Sequence, residues 1–151
     1  MDLQAALPML LPRAIAWAED RAAEVAHSGT ALDNRLLTVA RSVGVARPEL
    51  IRIALVNSLP VPQDPELNMA AIQTGLLGPG MVGLTLGYSV FVCRGHDTVP
   101  LLSHEFRHVY QYEQAGSIAA FLPDYLTQIV QFGYVNAPFE QDAHAHERSV
   151  P

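Results

Sequence analysis

Residues His104-Glu105-Phe106-Arg107-His108 form the pattern H-E-x-x-H, and the pattern demands a helix. On a helix, positions four apart share one face and lie about one turn from each other, so both imidazoles can reach a single cation. Glu105, one residue beyond the first imidazole, is near enough to take a proton from water activated by that cation. A solvated helix face that happens to carry two His is the rival explanation. The flanking residues decide between them.

Those flanks read as an orderly run of helices. Asp97 or Thr98 can cap the motif helix, Pro100 is tolerated in its first turn, and Gly116 ends it after Ala115. Ser117 caps a second helix whose apolar positions include Ile118, Phe121, Leu122, Tyr125, Leu126 and Ile129, and Gly133 closes it. Pro138 opens a last helix carrying Glu140.

Upstream the pattern changes character. A helix is expected over 12–27 and another over 31–43, with Gly44 fitting the C′ position of the second. Residues 1–47 thus read as a helical part, and 48–151 as the part holding sheet and metal site, within one domain. Residues 50–56 are β-branched and strand-like. Pro60, Pro62 and Pro65 force an extended connection, a short helix follows over 67–74, and Gly75, Gly78, Gly80 and Gly83 mark a loop that could act as a lid. Residues 84–92 alternate as one half-buried strand, with Leu84, Leu86, Tyr88, Val90 and Val92 on one face and Thr85, Gly87, Ser89 and Phe91 on the other. Beside a metal helix, an edge strand of this kind can accept an extended peptide.

Composition narrows the partners. Half of the 151 residues are hydrophobic, 16% are charged and the net charge is −6, which argues for a packed core and against nucleic acid or an anionic membrane. No stretch reaches the ~18 apolar residues of a membrane span, and the N-terminus lacks the basic start of a signal peptide. Cys93, the lone cysteine, precludes an intramolecular disulfide and permits a reducing compartment. The expected location is the cytoplasm.

A catalytic zinc takes three protein ligands and leaves a position for water, so the motif needs one more. Glu113, Asp124, Glu140, Asp142, His144, His146 and Glu147 lie downstream. Glu113 is nine residues past His104 on the same helix, too far along its axis. Glu140, returned by a helix and a tight loop, is the best choice, with His144 and Asp142 as alternatives.

Two segments, 101–113 around the motif and 133–140 ending in Glu140, together with Thr85-Leu86-Gly87-Tyr88, resemble small bacterial gluzincin-like peptidase domains. The resemblance covers roughly the C-terminal two-thirds. It implies a zincin-like α+β fold: N-terminal helices, a small antiparallel sheet, and an HExxH helix followed by a Glu-bearing helix. It further implies Zn²⁺ held by His104, His108 and Glu140, with Glu105 as general base in hydrolysis of a peptide or protein substrate. The chain departs from thermolysin-like enzymes one turn after the ligand Glu, where it has His144 in place of Asp, and the partners that orient the ligand His are left unassigned. Tyr134, just before the Glu140 helix, is a candidate hydrogen-bond donor to a developing oxyanion. Tyr110 and Tyr112 fit amphipathic packing. The alternative function is a non-catalytic metal-binding module for protein interaction.

Overall fold

Asp2 begins the first helix: its carboxylate accepts the Ala5 amide hydrogen. A computed structural model describes residues 1–149. Helix α1 spans Leu3–Ser28, nine residues earlier than the expected start at 12, and carries Pro8 and Pro12 within its N-terminal half. Each proline removes one ladder bond, a cost offset by packing of Leu10, Ala18 and Val25 in the interior. Thr30–Ala31 then forms a short strand, β1, so the first third is not purely helical. Asp33 caps α2 (Asn34–Ser42) by accepting the Leu36 amide hydrogen, which delays that helix by three residues from the expected 31.

A 3₁₀ turn at Pro48–Leu50 leads into β2 (Arg52–Val56), and α3 (Pro65–Thr74) follows the proline-rich connection. Residues 84–92 do not form one strand. They fold into a hairpin of β3 (Gly83–Leu86) and β4 (Ser89–Cys93), turning at Gly87, whose φ of +66° suits a residue without a Cβ. The turn regroups the faces. Directly paired residues share a face, so Leu84 lies with Phe91, and Thr85 with Val90. The sheet order is β1-β2-β4-β3. The expected antiparallel sheet is corrected here to a mixed one, because β2 and β4 run parallel and the other pairs antiparallel. The parallel pair follows from α3 and β3 intervening between β2 and β4, which lets the chain cross over and return in the same direction. The result is α+β, with β3 at one edge.

Helices cover both faces. Val90 and Val92 pack with Val39 and Val43 of the α2 segment and with Leu102, Phe106 and Val109 of α4 (Val99–Ala115). Leu86 and Phe91 pack with Ala18 and Val25 of α1 and with Phe121 and Leu122 of α5 (Ile118–Phe132). Helix α4 is thus seated by its apolar side, and its polar residues are turned toward α6 (Pro138–Ala145). Thr98 caps α4 and Ser117 caps α5, as their spacing requires. Glu113 is drawn the other way, accepting from the amides of Ala46 and Arg47 and from the Tyr88 hydroxyl. No helix among the described residues is long and apolar enough to cross a membrane.

Phe106 is fully buried between the two metal-motif His positions, so it ties the motif to the core. Phe106→Ala should lower unfolding free energy by about 3–5 kcal/mol. Urea titration followed by circular dichroism measures this directly, and a loss below about 1 kcal/mol would contradict the packing described.

Candidate metal centre

His104 and His108 lie one turn apart on α4, and the short α6 lays Glu140 across both. The Nε2 atoms of His104 and His108 stand 3.1 and 3.0 Å from the two carboxylate oxygens of Glu140. With one ligand atom from each residue, the three all lie within 4.8 Å of one another, a group that could hold a metal ion. The Tyr125 hydroxyl, from α5, donates to Glu140 Oε2 at 2.7 Å. Glu140 is 5% exposed, so three donors surround a carboxylate that water barely reaches.

The far sides of both rings are held as well, and this places a proton on each Nδ1. The Gln111 amide nitrogen donates to the Phe139 carbonyl and to Asp142 Oδ2, each at 2.9 Å. Its oxygen must therefore face His108, where Nδ1 donates to it at 2.8 Å. His104 Nδ1 likewise donates to Glu147 Oε2 at 2.9 Å. Each ring thus turns its Nε2 toward the ligand position, with its other nitrogen fixed by an acceptor, the arrangement metal-binding His requires. Asp142 is braced in turn by a two-point pair with Arg107, at 2.8 and 3.2 Å. Arg107 also lies over the ring of Tyr110, 3.9 Å from its centroid.

Glu105 is adjacent to this group without joining it. Its Oε1 accepts from the Thr85 hydroxyl at 2.9 Å, and the same hydroxyl reaches the Glu105 carbonyl at 3.1 Å. The carboxylate lies over Gly83: a Cβ there would fall 2.8 Å from Oε2, so any larger residue would push the carboxylate from its seat. Burial raises the Glu105 carboxyl above the ordinary carboxylate range, although nearby His108 and His104 pull the other way. Such a shift makes it a stronger proton acceptor than an exposed carboxylate.

The remaining candidates separate cleanly. Tyr134 lines the cavity that also touches Glu105, His108 and Glu140, and burial followed by Glu140 and Glu105 keeps its phenol protonated. Tyr112 is buried and donates to the Thr85 carbonyl at 3.2 Å. His144 is exposed and meets Glu147, forming a second, more open group with His104 that uses the opposite ring nitrogen. His146 is bound to the Asp142 carbonyl, Asp124 is exposed, and His27 and His96 are exposed outside both groups. Tyr125, Thr85 and Glu147 were not assigned these roles from sequence. Gln111 was likewise unassigned, although its place three residues after His108 on the same helix face is a signal that could have found it.

No protein-family model, curated protein or solved structure matches the chain.

A proton and a metal ion would compete for the same nitrogens. Burial disfavours charge on His104, but the Glu140 hydrogen bond and the charges of Glu105 and Glu140 outweigh it and hold the imidazole up at about 9. Burial also opposes ionisation of Glu140, yet His108 and the hydrogen bonds from both His and Tyr125 keep it well below its ordinary range. A raised His stabilises the metal-free fold fully below its unfolded value of 6.5, and that contribution is lost as pH rises through about 9. Metal binding runs opposite, because the proton must leave. The thermal upshift given by a divalent ion such as zinc should therefore grow from about pH 6.5 to about pH 8.5; an upshift that shrinks over this window would contradict the site. Gln111→Leu frees the His108 ring and should weaken metal affinity about 10- to 100-fold in a chelator competition, with the fold retained.

Proposed function

We propose that this chain is a zinc-dependent peptidase of gluzincin type, with His104, His108 and Glu140 as the ligands and Glu105 as general base. The observation that carries the reading is the seat of Glu105: a buried carboxylate, aimed by Thr85 and cleared by Gly83, beside a two-His, one-Glu set that it does not join. This donor set is typical of catalytic zinc, three ligands with a position left open. Zinc bound there would polarise the scissile carbonyl and bring the pKa of its water toward ~7.

The chain's own groups supply the rest. Glu105 takes a proton from water as the oxygen attacks the carbonyl carbon, then passes it to the departing amide nitrogen as the C–N bond breaks. Its raised proton affinity suits both halves of that transfer. Tyr134, kept protonated by burial, can donate to the oxyanion formed at the carbonyl. Gln111 and Glu147 keep both imidazoles facing inward throughout.

His108→Ala should strip the metal, as measured by elemental analysis of the purified protein. Glu105→Gln should retain zinc and lower turnover of a broad peptide library about 10²–10⁴-fold. Gly83→Ala, which displaces the same carboxylate, should also keep the metal and lose turnover. Unchanged hydrolysis in Glu105→Gln would require a different base. Zinc bound with no turnover in the parent chain would favour the non-catalytic interaction module.

A further inference from the structure

A cavity of about 150 Å³ opens beside the candidate centre, and its lining is of two kinds. Glu105, His108, Glu140 and Tyr134, all of the candidate centre or its flank, supply its polar groups. Most of the rest is apolar and includes Leu7, Leu10 and Trp17 from α1, Leu67 from α3, Leu84 from the edge strand and Leu122 from α5. None of these six carries a charge, so nothing there would compensate a charged occupant. Two of the walls, α1 and α3, are tied to one another by Arg13, which meets Asp64 at 2.6 Å and Glu66 at 3.2 Å. Those helices belong to neither the metal motif nor the Glu140 helix, yet both line this chamber.

The volume limits the occupant. An apolar chamber of about 150 Å³ accepts a benzene-sized group, whereas whole drug-sized ligands need about 300–1,000 Å³. We infer that this cavity is a specificity subsite that takes one bulky apolar side chain, aromatic or branched aliphatic, from a residue flanking the scissile peptide bond. The inference rests on the hydrolytic reading, and it adds the substrate class: peptides with such a residue next to the bond cut. Burying a side chain of that size favours binding by about ten- to a hundredfold over a substrate lacking it.

Two hydroxamates test this, because they share a metal-binding head and differ only by a ring. With zinc-loaded protein, phenylacetohydroxamic acid should bind about ten- to a hundredfold tighter than acetohydroxamic acid. Ala71→Phe and Ala14→Phe fill the cavity from α3 and from α1 without touching the candidate ligands. Either should reduce that advantage to below about threefold while acetohydroxamic acid binds as before, which also shows that the variant is folded. Equal binding of the two compounds by the parent chain overturns the subsite, as does an advantage that survives both substitutions. Phenylacetamide, which has no metal-binding head, separates this from the function proposed above. If neither hydroxamate binds and no zinc is held, yet phenylacetamide shifts the Trp17 indole resonance of the parent and not of Ala71→Phe, the chamber stands and the hydrolytic reading falls.

Discussion

A carboxylate that is 5% exposed cannot remain ionised unless something replaces the water it has lost, and Glu140 is in that position. It is met by His104 and His108 from α4 and by Tyr125 from α5, while the residue itself rides on α6. Three helices are therefore pinned at one group. The same demand for positive partners makes the place suitable for a cation, since a divalent ion satisfies the carboxylate and both imidazoles at once. The arrangement that stabilises the metal-free fold at low pH is the one a bound metal would displace at high pH.

Around that group lies a ring of fixed partners. Arg107 braces Asp142, Asp142 receives the Gln111 amide, and Gln111 orients His108. Glu147 does the same for His104 from just beyond α6. Removing any one partner leaves a polar group without its hydrogen bond in a half-buried setting, which costs more than the bond itself contributes. The network links α4 to α6 by side chains, and core packing of Phe106 and Val109 links α4 to the sheet.

Much of the helical half was legible in the sequence because its signals are local. Caps at Thr98 and Ser117, stops at Gly116 and Gly133, and the four-residue spacing of His104 and His108 all act within one or two turns. The return of Glu140 to the motif followed from counting one helix and one short loop. What escaped depends on long-range geometry. The alternation over 84–92 reads equally as one strand or as two with a turn at Gly87, and only the hairpin sets Thr85 against Glu105. The expected start at 12 placed Pro12 at the head of the first helix, whereas packing along α1 outweighs two missing ladder bonds and carries the helix back to Leu3. Glu147 and Tyr125 carry no local mark of their roles, since each acquires its partner through tertiary contact.

Everything functional in this account depends on which atoms surround the metal. X-ray absorption at the zinc edge of the zinc-loaded chain measures that environment directly. The account predicts four light-atom neighbours at about 2.0–2.1 Å, with multiple-scattering features of two imidazoles and an oxygen remainder. A shell with one imidazole, six oxygens, or a sulfur from Cys93 at about 2.3 Å would contradict it.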